Sequence, residues 1–305
     1  MSFLYFLESV RNPLLDAFFS AITHFGEETL FIVVGLLFFW CIDKFEGYYL
    51  LCVGLIGTTI NQFLKMLFRI PRPWVRDPEF TIVESAREAA TGYSFPSGHT
   101  QTSVSVYGGI ARWHKQAIVR TAAIALCVLV PLSRLYLGVH TPADVGVSIA
   151  VALALIFGVY PIVRRAASDV KSMRILLGMM TALSLFVLAF MTLYPFPSDT
   201  DAVNLAGAIK NAHTMLGCIL GVFVTYEVER RYIRFETKAV WWAQAVKLIC
   251  GLVPMLLIKS MLKSPLYALF GGSYIADAIR YFLMVLFAGC VWPLTFPFFS
   301  RLGRK

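Results

Sequence analysis

Apolar runs of about 20 residues recur along this chain, and a helix of that length crosses the hydrocarbon core of a bilayer. Only 15% of the 305 residues are charged, and the mean hydropathy is +0.70. These values exclude a disordered chain, a collagen and a small disulfide scaffold, and they disfavour a soluble protein. We predict an all-α integral membrane protein, a polytopic bundle of about nine transmembrane helices. The predicted spans are 29–42, 47–67, 97–113, 117–136, 142–163, 174–194, 207–226, 241–262 and 277–298.

Residues 1–28 are predicted to form an interfacial amphipathic helix ahead of these spans. Apolar side chains recur there at helical spacing, but Glu8, Arg11 and Asp16 interrupt them. This pattern is typical of a helix that lies in the membrane surface and not of a cleavable signal sequence. A first, weakly hydrophobic span is the alternative. The predicted organisation is therefore this interfacial helix, a helical core over 29–195 and additional C-terminal helices over 196–305, whose role the sequence does not assign.

The distribution of Lys and Arg predicts the orientation in the membrane. Nine spans place the two termini on opposite sides of the bilayer. The loops on the C-terminal side carry 15 Lys and Arg residues, against 9 on the other side. Because these residues concentrate in cytoplasmic loops, the C-terminus is predicted to be cytoplasmic. The same rule accounts for the net charge of +9, so a nucleic-acid partner is not expected.

Three polar clusters interrupt the apolar pattern, and all three fall at span ends on the predicted extracytoplasmic side. The first cluster extends from Lys65 to Arg72, and the second is the PSGH sequence at 96–99. The third joins the fourth span to the fifth and extends from Ser133 to Asp144. The predicted orientation rests on loop charges. The placement of all three clusters on one side of the membrane is therefore an independent observation.

The clusters contain groups that suit a phosphate dianion. Ser97 is placed as the N-cap of one helix, with Gly98 in its first turn, and Pro142 is placed at the first position of another. Helix N-termini present backbone N–H groups and a positive dipole end to anions. Three cations add to these groups, and an arginine can bind two phosphate oxygens at once. The three are Lys65, Arg72 and Arg134.

Two histidines supply reactive groups beside these cations. Asp144 follows His140 by four residues, within reach across one helical turn. A carboxylate behind an imidazole fixes its tautomer, which suits a nucleophile. His99 begins another helix and could protonate a leaving oxygen. These residues predict a phosphoryl-transfer site, in which positioning and charge stabilisation carry most of the catalysis.

Plainer explanations exist for the same residues. Asp144 could simply cap the fifth span in a capping box, and Lys65 and Arg72 could be interfacial side chains that extend to the membrane surface. No metal-ligand spacing occurs in the sequence, so neither a metal nor another cofactor is expected. The acidic and basic residues of the loop at 69–96 are predicted to form an ion-paired, solvated lid.

All three clusters, in order and with their internal spacing, match a known signature. They resemble the KxxxxxxRP, PSGH and SRxxxxxHxxxD motifs of the type-2 phosphatidic acid phosphatase superfamily, at 65–73, 96–99 and 133–144. The resemblance covers roughly 29–163 and implies a metal-free helical catalytic core that works through a phosphohistidine. It implies that His140 attacks phosphorus and that Asp144 orients it. It further implies that His99 is the general acid. The residues implied to hold the phosphate are Lys65, Arg72, Ser97, Gly98 and Arg134.

The expected function is a phosphatase that removes a terminal phosphate from a lipid at the extracytoplasmic face. Candidate substrates are phosphatidic acid-like lipids, phosphatidylglycerophosphate and polyprenyl diphosphates. Nine spans with an external N-terminus are also similar to the layout of glucose-6-phosphatase, so a sugar-phosphate phosphatase or a phosphotransferase is the alternative. A lipid transporter or flippase without catalysis is a further alternative. The expected partners are the substrate, the bilayer and a second copy bound through the C-terminal helices, and the expected location is a bacterial plasma membrane.

Overall fold

A computed structural model describes residues 1–302, and 79% of the chain is helical, with no strand among the described residues. The helices of the first half follow one another with short breaks, except for the long loop between α5 and α6. They are α1 (Ser2–Ser9), α2 (Pro13–Thr23), α3 (Glu28–Leu37), α4 (Lys44–Phe68), α5 (Pro73–Arg76), α6 (Gly98–Ser103), α7 (Gly109–Trp113) and α8 (Ala117–Tyr136).

The second half is built from longer helices. They are α9 (Pro142–Arg164), α10 (Val170–Leu193), α11 (Ala202–Val228), α12 (Trp241–Met261), α13 (Lys263–Leu269), α14 (Ile275–Leu286) and α15 (Phe296–Arg301). Several helices end in or are joined by π-helical turns, in which one extra residue widens the helix. These turns are Phe38–Ile42, Val104–Gly108, Glu229–Ile233 and Phe287–Val291.

The fold class is confirmed, but the count of nine spans is not. Each predicted span corresponds to helical residues, yet within residues 1–302 seven helices are long and apolar enough to cross a membrane. An eighth results if Pro13–Gly26 and Glu28–Ile42, which meet at a bend of 54°, form one broken span. The helical turns between Gly98 and Trp113 cover only about 24 Å at 1.5 Å per residue, less than the hydrocarbon core of about 30 Å. The interfacial placement of 1–28 stays a prediction.

The chain forms two compact units, and helices α3, α4, α9 and α11 pass from one into the other. The first unit contains Met1–Ile32, Leu50–Tyr160 and Phe196–Gly207. The second contains Val33–Tyr49, Pro161–Pro195 and Ala208–Lys305. All the predicted site residues lie in the first unit. The predicted division at 28 and 195 stays a prediction, as does pairing of two chains through the C-terminal helices.

An apolar cluster in the first unit positions the loop that carries His140. Phe19 of α2 and Tyr136 at the end of α8 stack at a ring distance of 4.4 Å. Leu137 and Val139, just before His140, are fully buried in the same cluster. Since fully buried apolar side chains contribute about 1.5–3 kcal/mol each, the loop between α8 and α9 is firmly anchored.

Two small residues let α11 and α14 approach closely in the second unit. Gly217 and Gly221 lie four residues apart on one face of α11. A methyl group added at Gly217 would lie 2.1 Å from the carbonyl oxygen of Ala278, and one at Gly221 would lie 2.7 Å from Val285 Cβ. This spacing of small residues is a common way for membrane helices to pack, because lipid tails leave van der Waals contact as the main attraction between them.

The close approach predicts a large difference between two equivalent substitutions in α11. Gly217→Ala should destabilise the protein by about 1–3 kcal/mol through overpacking. Gly207→Ala in the same helix should be neutral or stabilising, since within residues 1–302 no heavy atom beyond the adjoining backbone of α11 lies within 4 Å of the added methyl group, and alanine favours helices. Thermal unfolding of both variants in detergent measures the difference. Equal melting temperatures would contradict the close packing.

Candidate active site

The first two cations lie at the end of α4 and just before α5, and both are buried. Lys65 is in the last turn of α4, and its ammonium donates a hydrogen bond to the carbonyl of Tyr93 at 2.5 Å. Arg72 precedes α5, whose first residue is Pro73. Because a buried cation without acceptors is costly, the carbonyls of the loop before α6 stabilise these side chains inside the protein.

Arg72 donates through all three of its nitrogens. Its Nε and Nη2 donate to the carbonyls of Gly92 and Thr91, at 3.1 and 2.6 Å. Its Nη1 donates to the carbonyl of Val139 at 2.9 Å and lies 2.9 Å from His140 Nε2. Arg72 therefore connects the loop before α6 to the loop before α9, and it holds the imidazole in place.

The contact between Arg72 and His140 determines the tautomer of the histidine. A guanidinium can only donate hydrogen bonds, so Nε2 of His140 must be the acceptor and carries a lone pair. The ring proton is then on Nδ1, which lies 3.4 Å from Oδ2 of Asp144. That distance is too long for a good hydrogen bond but places the carboxylate behind the ring. The imidazole thus directs an unprotonated nitrogen towards the cations.

The carboxylate of Asp144 accepts hydrogen bonds from Thr141 and Ser94 besides facing His140. The residue forms a capping box at the start of α9, in which Thr141 N donates to its carboxylate at 2.7 Å and Asp144 N donates to Thr141 Oγ1 at 3.3 Å. Ser94 Oγ also donates to the same carboxylate oxygen at 2.6 Å. The capping explanation is therefore correct as geometry, and it is compatible with a role in orienting His140.

The charge state of His140 follows from its surroundings. The side chain is 1% exposed. Burial, and after it the positive charges of Arg72 and Arg134, lower the pKa of His140 well below its ordinary value. The ring is therefore neutral at neutral pH, which agrees with the tautomer that Arg72 requires.

Arg134 differs from Arg72 in keeping one edge of its guanidinium unused. It is fully buried in the last turn of α8, and Nη1 donates to Thr23 Oγ1 at 2.6 Å. Within residues 1–302, its Nε and Nη2 have no hydrogen-bond partner. These two nitrogens form the edge that can donate two parallel hydrogen bonds to one phosphate. An unpaired buried guanidinium is costly, so this edge fits a dianionic ligand.

The PSGH residues begin α6 as predicted from the N-cap pattern. Ser97 is the N-cap, and its hydroxyl accepts a long hydrogen bond of 3.4 Å from Thr100 N. Its backbone is held against the start of α9, since Ser97 N donates to the carbonyl of Asp144 at 3.2 Å. Gly98 and His99 form the first turn, and Nε2 of His99 has no partner in the described part of the chain.

The structure thus brings all the predicted residues into one unit, although it tests none of their roles. Sequence reasoning missed two hydroxyl groups beside them, on Thr23 and Ser94. Ser94 lies only two residues before the PSGH sequence, which was a usable signal. Thr23 lies 111 positions from its partner Arg134, and only the helical face of α2 could have indicated it.

The outer loop and the acidic residues form no metal site among the residues described. No group of three or more His, Cys, Asp or Glu side chains gathers there in a way that could hold a metal ion. Glu84 and Arg87 form an exposed ion pair at 2.6 Å. This pair fits the prediction of an ion-paired, solvated loop.

Comparison with known proteins identifies the family. Residues 45–168 match the PAP2 superfamily, and residues 213–304 match the transmembrane extension described for PAP2 superfamily phosphatases. The chain is 30% identical to phosphatidylglycerophosphatase B of Bacillus subtilis over 162 residues, which cover 48% of this chain and 75% of that protein. No solved structure matches it.

Two further relatives have similar coverage. An undecaprenyl-diphosphatase of Bacillus subtilis is 27% identical over 153 residues, covering 49% of this chain and 75% of that protein. The lipid A 4'-phosphatase of Porphyromonas gingivalis is 30% identical over 171 residues, covering 53% and 72%. Since the matched segment contains all three motifs and the extension matches separately, the chain belongs to the PAP2 superfamily of membrane phosphatases.

Proposed function

We propose that this phosphatase removes a terminal phosphate from a membrane lipid and does so through a phosphohistidine on His140. The observation that carries the proposal is the lone pair of His140 Nε2 among buried cations. A neutral imidazole whose other nitrogen is protonated and faces a carboxylate is a suitable nucleophile. The names of the relatives, which include a phosphatidylglycerophosphatase, an undecaprenyl-diphosphatase and a lipid A phosphatase, support a lipid substrate.

The phosphate is held by groups from α4, α6 and α8 and by Arg72, just before α5. The free edge of Arg134 donates two hydrogen bonds to it, and Lys65 uses the N–H bonds that Tyr93 does not occupy. Ser97 and Gly98 present the first turn of α6 to a third oxygen. As phosphate enters, Arg72 Nη1 turns from His140 to a phosphate oxygen and releases the nucleophile. These donors stabilise the charge that spreads over the oxygens in the transition state.

The reaction proceeds in two displacements. In the first, the Nε2 lone pair forms a bond to phosphorus while the bond to the lipid oxygen breaks, and His99 gives a proton to that oxygen. Asp144 stabilises the positive charge that develops on the His140 ring. In the second, His99 accepts a proton from water as the water oxygen attacks phosphorus, and the P–N bond breaks. Inorganic phosphate leaves, and both histidines return to their first state.

The same proposal includes the class of lipid that is hydrolysed and the face of the membrane on which the site lies. Phosphatidic acid-like lipids, phosphatidylglycerophosphate and polyprenyl diphosphates all carry a terminal phosphate at the membrane surface. The site residues lie at the ends of α4, α8 and α9, as expected for chemistry at a membrane face. The loop charges support an extracytoplasmic site and a cytoplasmic C-terminus.

Substitution of His140 is the direct test. Purified protein in detergent, with EDTA present, should release phosphate from at least one lipid in a panel of phosphatidic acid, phosphatidylglycerophosphate and polyprenyl diphosphate. His140→Gln should lower kcat by at least about 10³-fold, because the covalent route is lost. His213→Gln is the matched control, since that ring bonds only to a carbonyl of its own helix in the described structure, and it should retain activity.

The covalent intermediate can be detected separately. Rapid quenching with a radiolabelled substrate should give a protein-bound phosphate that is stable in alkali and labile in acid, as a P–N bond is. The label should be absent from His140→Gln. Turnover without any such label would contradict the phosphohistidine, and full activity in His140→Gln would contradict the site.

The lowered pKa values of the two histidines predict the pH profile. His140 must be neutral to attack, and its pKa lies well below its ordinary value, so it stays neutral down to pH 5. His99 must carry the proton that it gives to the leaving oxygen, and burial, followed by the charges of Arg134 and Arg72, lowers its pKa to about 3. The substrate phosphate must be a dianion, with a second pKa of about 6. The value of log kcat/KM should therefore fall with slope one as the pH rises above about 6 and stay level between pH 6 and 5. A fall in kcat/KM as the pH is lowered from 6 to 5 would show that His140 titrates near its ordinary pKa.

Sidedness can be tested with a substrate that does not cross membranes. Short-chain phosphatidic acid added outside intact spheroplasts of expressing bacteria should be hydrolysed as fast as after permeabilisation, because the site faces outwards. A cytoplasmic marker enzyme should become accessible only after permeabilisation. Hydrolysis that appears only with the marker would place the site on the cytoplasmic face.

A further inference from the structure

One face of α2 is directed at the catalytic core, although the PAP2 match begins only at residue 45. The side chains that make these contacts are spaced as one face of a helix. Asn12 caps the helix by accepting from Leu15 N at 3.1 Å. Asp16, Phe19 and Thr23 follow on the same side and are the residues that reach α8.

Tyr136 fixes the position of α2 along α8. Its hydroxyl donates to Asp16 Oδ1 at 2.7 Å and accepts from Asn12 N at 3.3 Å, while its ring stacks on Phe19. Arg11 Nε donates to the Tyr136 carbonyl at 3.1 Å. Because several contacts involve one residue, α2 has little freedom to slide along α8, and the far end of α2 is held beside the last turn of α8.

That last turn also contains Arg134. Thr23, at the end of α2, is nearly fully buried, and its hydroxyl accepts the hydrogen bond from Arg134 Nη1 at 2.6 Å. It is the one hydrogen-bond acceptor of this guanidinium within residues 1–302. The bond occupies Nη1 and leaves Nε and Nη2 without a partner within residues 1–302. Thr23 therefore determines which edge of Arg134 is available to a ligand.

The 3₁₀ turn after α2, His24–Gly26, lies against His99. A methyl group added at Gly26 would lie 2.9 Å from the carbonyl oxygen of His99 and 3.0 Å from its Cβ. The turn is tied to the helix that follows His99, because Tyr107 donates from its hydroxyl to the carbonyl of Phe25 at 3.1 Å. Residues 23–26 thus contact two of the predicted site residues from one side.

We infer that residues 23–26 are a positioning wall of the active site. Thr23 orients Arg134 for phosphate, and Gly26, which has no side chain, leaves the space that His99 needs. The inference rests on the proposed function for the roles of Arg134 and His99. It assigns Thr23 to phosphate binding and Gly26 to the step that needs His99. Neither residue touches the substrate, and each acts through its neighbour.

Thr23→Val and Thr23→Ser separate positioning from packing. Valine keeps the shape but removes the acceptor, so the guanidinium is free to rotate. Because a hydrogen bond to a charged group is worth about tenfold or more in affinity, we expect inorganic phosphate to bind about tenfold more weakly, by calorimetry and as a product inhibitor. KM should rise more than kcat falls. Thr23→Ser keeps the hydroxyl and should restore both values to within about threefold.

Ser20→Ala is the matched control on the same helix. Its hydroxyl lies 2.9 Å from that of Ser85 at an exposed position, so phosphate affinity should be unchanged.

Gly26→Ala should change kcat and phosphate affinity in the opposite proportion to Thr23→Val. Its methyl group displaces His99, so kcat should fall while phosphate affinity stays near that of the unaltered protein.

The two proposals fail in different ways. If the unaltered protein binds phosphate but hydrolyses no lipid, the proposed function fails, and the phosphate affinities of the Thr23 variants still decide the role of Thr23. If Thr23→Val binds phosphate as tightly as the unaltered protein, the positioning wall is wrong. It is also wrong if Thr23→Ser loses as much affinity as Thr23→Val, with equal falls in melting temperature, because the role would then be packing alone.

Discussion

The contact between Arg72 and His140 is the interaction on which the rest of the site depends. A guanidinium has no acceptor, so its approach to Nε2 at 2.9 Å forces the lone pair onto that nitrogen and the proton onto the other. The protonated nitrogen, Nδ1, is therefore the one that faces Asp144. One hydrogen bond between residues that are 68 positions apart thus selects the tautomer of the histidine, with the lone pair on the nitrogen that faces Arg72.

Burying several cations together is costly, and the surrounding backbone offsets the cost. The carbonyls of Thr91, Gly92 and Tyr93 accept from Arg72 and Lys65. Consecutive carbonyls form a partial negative charge that stabilises these cations without adding an anion to compete with substrate. Arg134 has only the Thr23 hydroxyl as acceptor within the described residues, so it has the most to gain from a phosphate.

The loop that carries His140 needs support, because it has no regular structure of its own. Gly138 turns the chain between α8 and His140 at a φ of +80°, a conformation that other residues rarely adopt. A methyl group there would also lie 2.6 Å from Arg11 Nη2. The N-terminal segment, which lies outside the matched family segment, therefore supports the loop that carries His140.

The sequence by itself determined where the helices lie and which residues gather at their ends. Hydropathy and caps are local properties, so the fourth predicted span coincides with α8 and the PSGH sequence begins α6 as expected. Only the tertiary structure decided that Arg72 contacts His140, and which edge of the Arg134 guanidinium is left without a partner within residues 1–302. Hydrogen-bond direction depends on partners distant in sequence, such as Thr23 and Arg134, and no local pattern specifies their meeting.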